Sequence, residues 1–153
     1  MIEGVKIKKL KYICDDRGRL IELMRKDWPE FKGFGQVYMT TAKPNVAKAW
    51  HYHTKQTDTF LCFLRKVKVA LYDARKESPT FKEIMEFICG KDEPLLIQIP
   101  PGVYHGFMGI GKEESIVFNF PTELYNYNEP DEFRVAFDDP ETGYKWGDGV
   151  VGG

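Results

Sequence analysis

The chain holds three histidines, and all of them fall in two short segments. The first reads Trp50-His51-Tyr52-His53-Thr54-Lys55-Gln56-Thr57-Asp58, the second Pro100-Pro101-Gly102-Val103-Tyr104-His105-Gly106-Phe107. On a β-strand, residues two apart project from the same face, so His51 and His53 point together. The Pro-Gly turn before His105 delivers one more imidazole onto the strand that follows. Neutral imidazole takes up protons and ligates metals. Three of them converging on one pocket can therefore hold a metal ion, or line a polar pocket and bind a substrate.

Positioning them requires strands. Apolar-alternating runs rich in Val, Ile, Tyr and Phe recur at Val5–Ile13, Leu20–Met24, Gln36–Thr41, Ala47–His53, Thr59–Leu64, Val67–Tyr72, Lys82–Ile88, Leu95–Ile99 and Ser115–Phe120. Turn chemistry separates them at Asp15–Gly18, Lys43-Pro44-Asn45, Gly90-Lys91-Asp92, Pro100-Pro101-Gly102 and Gly109-Ile110-Gly111. A short helix is conceivable only at Lys26–Phe31, where Pro29 limits it. Many short strands at regular spacing predict an all-β sandwich or closed barrel. From Asn126 to Gly153 the sequence turns acidic and irregular, which predicts a wrap around the barrel and a loose Gly-rich tail.

At 153 residues the chain is expected to form a single domain, residues 1–153, with a sizeable core. A formal net charge of −1, with no isolated Lys/Arg cluster, argues against nucleic acid or a membrane surface as partner. No signal-like or membrane-spanning apolar run is visible. Cys14, Cys62 and Cys89 are odd in number and far apart, so they read as free thiols of a reducing compartment. The expected location is the cytoplasm.

H-x-H, four residues, then an acid, with P-x-G-x-x-H further on, resembles the two signature motifs of the cupin superfamily. Asp58 stands where Glu is usual, Arg65 where Gly is usual, and Gly109 where Asn is common. The resemblance implies a cupin jelly roll (a double-stranded β-helix barrel). It also implies one divalent metal held by His51, His53, Asp58 and His105. Three imidazoles and a carboxylate suit Zn, Fe, Mn or Ni, and the donor types alone do not choose among them. No organic cofactor is expected.

A closer resemblance, to the dTDP-4-dehydrorhamnose 3,5-epimerase family, runs along nearly the whole chain. Asp15–Glu22 is similar to D-x-R-G-x-F-x-E, Phe34–Tyr38 to F-x-Q-x-N, and Trp50–His53 to L-H-Y-Q. Tyr72–Arg75 with Ser78–Phe81 is similar to D-x-R-x-x-S-P-T-F, and Ile99–Phe107 to I-P-x-G-x-x-H-G-F. The resemblance implies a nucleotide diphosphate contacted by Arg17, Glu22 and Gln36, with Lys48 near the place of a phosphate-binding Arg. Tyr38, Trp50, Tyr52 and Tyr104 could offer stacking faces for a base or sugar. A homodimer sharing strands between subunits is implied too.

Epimerisation beside a ketone needs a base, a group that stabilises the enolate oxygen, and an acid on the opposite face. By resemblance His51 is the base. The family's enolate-stabilising Lys falls at or near Asp58, its proton-returning Tyr near Asn119, and the Gln of L-H-Y-Q has become His53. The C-terminal segment carrying the Asp that orients the base is expected to be missing. A metal in place of the Lys could polarise the ketone, but His51 could not then be both ligand and base. Tyr104, Tyr52 and Lys55 remain candidates for moving the proton. The expectation is a sugar-nucleotide epimerase or isomerase, with His51, His105 and Tyr104 as its catalytic residues. Its substrate would be a dTDP-4-keto-6-deoxyhexose used in deoxysugar or polysaccharide synthesis. The alternatives are a metal-dependent cupin such as a dioxygenase, and a sugar-nucleotide binder without activity.

Overall fold

The computed structural model describes all residues, 1–153, and every regular element in it is a strand. One sheet runs in the order β1 (Lys6–Lys9), β9 (Leu95–Ile99), β6 (Asp58–Leu64), β11 (Ser115–Asn119), β4 (Tyr38–Ala42). The second runs β12 (Phe133–Arg134), β5 (Val46–Tyr52), β10 (Val103–Gly109), β7 (Lys66–Asp73), β8 (Ile84–Gly90), and β13 (Val151–Gly152) also pairs with β5. A separate hairpin joins β2 (Tyr12–Asp15) to β3 (Gly18–Ile21). The two sheets face one another as the jelly-roll barrel expected from the sequence, and no helix is long and apolar enough to cross a membrane.

Alternation along the strands builds three apolar layers. Phe60, Cys62, Val67, Val69, Leu71, Leu95, Ile97, Ile99, Phe107 and Val117 fill the space between the sheets. The other face of the first sheet, with Leu61 and Leu96, is covered by Leu23, Met24 and Trp28. The other face of the second sheet, with Trp50, Tyr72 and Ala70, is covered by Val135, Phe137, Tyr144 and Trp146.

Three expectations need correcting. Lys26–Phe31 is a pair of turns (Trp28 N–H to Arg25 O, Phe31 N–H to Trp28 O) and not a helix, as the missing N–H and fixed φ of Pro29 dictate. The run Val5–Ile13 is two strands, broken at Leu10, whose side chain turns into the layer under Leu61. The tail is tied down: Val151 N–H bonds Asn45 O at 3.2 Å and Gly153 N–H bonds Ala47 O at 3.3 Å. A terminal strand seldom frays when its edge bonds are made and the apolar wrap ahead of it is buried.

Candidate active site

A cavity of about 1050 Å³ opens between the sheets at one end of the barrel, room enough for a ligand larger than a monosaccharide. Its floor is Phe60 and Phe107 from the central core. Tyr38, Thr40 and Asp58 enter from the first sheet, Lys48, His51 and His105 from the second, and residues 123–133 form one wall.

A bulge sets the phase of β5. His105 pairs with His51 and Phe107 with Lys48, so three residues of β5 step past two of β10. Lys48 and His51 therefore both reach the cavity although they are three positions apart, while Ala49 and Trp50 pack behind the sheet. Gly106 sits at this point, and a Cβ there would lie 2.3 Å from the Ala49 Cβ and 2.9 Å from Lys48 O. Lys48 is held by the Thr40 hydroxyl, which accepts its ammonium at 2.8 Å.

His53, His105 and Asp58 form one tight cluster. Both Nε2 atoms lie 3.1 Å from the same Asp58 oxygen, Oδ2, and Gln56 donates to the other oxygen at 2.7 Å. Asp58 is 2% exposed. Burial alone would raise its carboxyl, but the two imidazoles hold it well below the usual range. Burial likewise lowers His53, and the Asp58 carboxylate more than offsets this, leaving it raised. The far nitrogens face backbone carbonyls, Asp131 O for His53 and Val103 O for His105. A neutral ring has one N–H. If Nδ1 donates to a carbonyl, Nε2 turns a lone pair toward a carboxylate, and the contact is favourable only with a cation between them. The three donor atoms lie within 4.8 Å of one another, so the donor set fits a divalent metal as well as protons.

His51 stands outside that cluster, which corrects the four-ligand set. Its ring centroid is 6.5 Å from that of His105, and its Nδ1 faces Glu132 Oε1 at 3.6 Å. Burial, with His105 next, pushes its pKa down to about 4, so the ring is a neutral base at neutral pH. Burial raises Glu132, but Arg134, donating at 2.8 Å, more than compensates and keeps it ionised. Glu132 precedes β12, which pairs with β5 so that Arg134 lies opposite His51. Sequence reasoning missed this acid because it sought an Asp beyond the end of the chain. Asp131 was missed as well. Its carboxylate accepts the Thr54, Lys55 and Gln56 N–H groups at 2.8, 2.9 and 3.1 Å and so fixes the loop that carries His53. The only sequence signal for either was their place in the acidic stretch that begins at Asn126.

Of the remaining expected residues, Gln36 and Tyr38 line the cavity. Tyr104 does not. It follows Val103 and precedes His105, so alternation turns it behind the sheet, where it stacks on Tyr52 at 4.7 Å beside Tyr72. Tyr52 and Trp50 share that fate. Arg17 and Glu22 also lie away from the cavity: Arg17 pairs with Asp15 at the tip of the β2–β3 hairpin and Glu22 pairs with Arg25.

A jelly-roll barrel with a polar cavity between its sheets, lined by three imidazoles and the carboxylates Asp58 and Glu132, has the cupin architecture. A sequence model described as dTDP-4-dehydrorhamnose 3,5-epimerase matches residues 1–152, and the chain belongs to that family of sugar-nucleotide isomerases. It is 41% identical over 146 residues to the spore coat polysaccharide biosynthesis protein SpsL of Bacillus subtilis, covering 95% of this chain and 97% of that one. Similarity to the probable low-salt glycan biosynthesis epimerase Agl13 of Haloferax volcanii is 38% over 147 residues, 95% and 94% of the two chains. Among solved structures, a dTDP sugar isomerase from Desulfovibrio desulfuricans superposes with a TM-score of 0.88 at 29% identity, covering 95% of this chain and 92% of that one.

Proposed function

We propose that the protein epimerises a dTDP-linked 4-keto-6-deoxyhexose used for a surface or secreted glycan, and that His51 is the base. The observation that carries this reading is the separation of His51 from the His53–Asp58–His105 cluster, which leaves a neutral imidazole backed by Glu132 and open to the cavity. In this mechanism His51 Nε2 removes the proton from a carbon beside the ketone. Glu132 steadies Nδ1 and the positive charge that develops on the ring. The ring nitrogens of His53 and His105 are already turned to Asp58 and to backbone carbonyls. The ketone oxygen, gaining charge as the enolate forms, would thus be stabilised by the net positive charge of that cluster when both rings are protonated. Lys48 and Gln36 are available to the diphosphate and base. The same cluster would hold a divalent ion such as Zn, Fe, Mn or Ni, and a bound ion would supply Lewis-acid polarisation of the ketone.

A homodimer completes this reading. The β2–β3 hairpin stands apart from both sheets with Ile13 62% and Leu20 57% exposed, and a two-stranded hairpin with bare apolar faces is marginal alone. The edge strand β4 is unpaired on its outer side and exposes Met39 next to the cavity residue Tyr38. One protomer's hairpin lying along the partner's β4 would cover both and carry Arg17 to a cavity mouth.

The test is incubation with dTDP-4-keto-6-deoxyglucose in D₂O, followed by NMR. Deuterium should enter at C3 or C5, and His51→Asn should lower the rate by roughly 10²-fold or more. Tight nucleotide binding without exchange would make the protein a binder. Metal-dependent oxygen uptake without nucleotide affinity would make it a different cupin enzyme. Elemental analysis of wild type and His105→Ala decides the metal, and sedimentation decides the dimer.

A further inference from the structure

Resting on the epimerase reading, we propose that Tyr38 is the catalytic acid that delivers a proton to the sugar carbon from the face opposite His51. The two side chains belong to facing sheets, His51 to β5 and Tyr38 to β4, and both line the cavity. A sugar ring lying between the sheets thus has an imidazole on one side and a phenol on the other, the placement that inversion requires.

The hydrogen bonds around Tyr38 leave its proton free. Asn119 is completely buried, and its Oδ1 accepts the Thr59 backbone N–H at 3.0 Å. That contact fixes the amide orientation, so Nδ2 is the atom facing the Tyr38 oxygen, to which it donates at 2.9 Å. The phenol is therefore an acceptor toward Asn119, and its own O–H remains to be donated into the cavity. Tyr38 as a whole is 40% exposed, but desolvation of its phenol, then the charge of Asp58, pushes its pKa up to about 12, and the hydroxyl is protonated at neutral pH.

Tyr38 and Asn119 are opposite one another in the β4–β11 register. By the motif resemblance, the family has Asn at the position of Tyr38 and its proton-returning Tyr near Asn119. This rung sets the Tyr38 phenol on β4 against the buried Asn119 amide on β11. The other candidates do not compete. Tyr52 and Tyr104 pack behind the second sheet, and Lys55 is exposed at the rim. Tyr125 and Tyr127 line the outer wall, but their rings pack on each other at 4.9 Å and no buried group aims their hydroxyls.

In the step proposed, His51 Nε2 takes the carbon-bound proton and the C–H electrons become the enolate. The enolate then collapses onto the Tyr38 O–H proton from the other face, forming the inverted C–H bond. The phenolate regains a proton from water, and His51 returns its own to water, so no other reactant is consumed.

The test is Tyr38→Phe with the same dTDP-4-keto sugar in D₂O, following both deuterium entry and the inverted product. Because His51 can remove and return a proton on one face, exchange with retention should continue within about tenfold of wild type while inversion falls about 10²-fold or more. Affinity for dTDP, measured by calorimetry, should be unchanged. Inversion by Tyr38→Phe within about threefold of wild type overturns the assignment, as does a parallel loss of exchange, inversion and dTDP affinity. Wild-type protein that binds dTDP but exchanges no proton overturns the epimerase reading itself, which is a distinct result.

Discussion

At the scale of single residues, two carboxylates with different surroundings do different work. Asp58 is sealed between imidazoles and is unsuited to meeting a substrate as a free base, whereas Glu132 stands beside His51 at a distance that lets it steady a ring gaining charge. Replacing Glu132 with Gln keeps the shape and removes the charge. It should lower kcat by roughly 10²-fold while leaving KM for the nucleotide sugar within about twofold, as expected for a group that orients a base and does not hold the substrate. Steady-state kinetics on the purified variant checks this. Asp131 acts through the loop instead. Asp131→Ala strips the acceptor from three backbone N–H groups and the Thr54 hydroxyl, so it should cost about 2 kcal/mol in a denaturant titration and reduce activity by loosening His53.

At the scale of elements, the site depends on a single bulge. Were this sequence paired without the bulge, strict alternation would put Lys48 and His51, three positions apart, on opposite faces of the sheet. Gly106 allows the approach, since its missing side chain is filled by the Ala49 methyl. Gly106→Ala should therefore destabilise the protein by about 1–3 kcal/mol. It should also disturb catalysis more than a substitution of equal cost elsewhere, because relaxing the clash shifts His51. Parallel urea melts and rate measurements on Gly106→Ala and on a core variant such as Val69→Ala would separate the two effects.

At the scale of the whole molecule, buried carboxylate networks set how the fold meets acid. Asp73 is fully buried and accepts hydrogen bonds from Arg75, Ser78 and Thr80 at 2.6–2.8 Å, while Arg75 also reaches Glu3 O and ties the N-terminus to β7. Burial would raise Asp73, but these donors hold it far below its usual value, and the donors around Asp131 hold that carboxyl at about 2. Both folded-state pKa values are depressed. Their stabilisation is therefore fully present above the unfolded carboxylate value of about 4 and is lost as pH falls through the folded values. The carboxylate contribution to thermal stability should drop below about pH 4. His51, held at about 4 against an ordinary 6.5, already removes stability as pH falls below 6.5. His53, held above that ordinary value, loses its contribution as pH rises. Asp73→Asn should cost about 3 kcal/mol at pH 7 and make the acid limb shallower. Melts from pH 7 down to 2.5 test both.

The sequence by itself offered nine alternating runs where the structure has thirteen strands: a period of two with Gly and Pro punctuation is a local signal, but the break at Leu10 and the two-residue strands β12 and β13 have none. It also determined that His51, His53 and His105 would meet at one end of a jelly roll, and that Asp58 would join them. The three expectations that failed at the site share one cause. Which face a side chain takes depends on neighbours far away in sequence: His105 faces the cavity and Tyr104 does not, because β10 has one sheet face buried under Phe60 and the other under the C-terminal wrap. Tertiary structure alone decided that Arg17 lies on a free-standing hairpin, that His51 leaves the ligand cluster for Glu132, and that Asn119 meets Tyr38 across a β-rung. These are contacts between residues far apart in the chain, fixed by register and by one bulge. A sequence pattern reports what each strand can offer, and the packing of one sheet against the other selects which of those offers face the substrate.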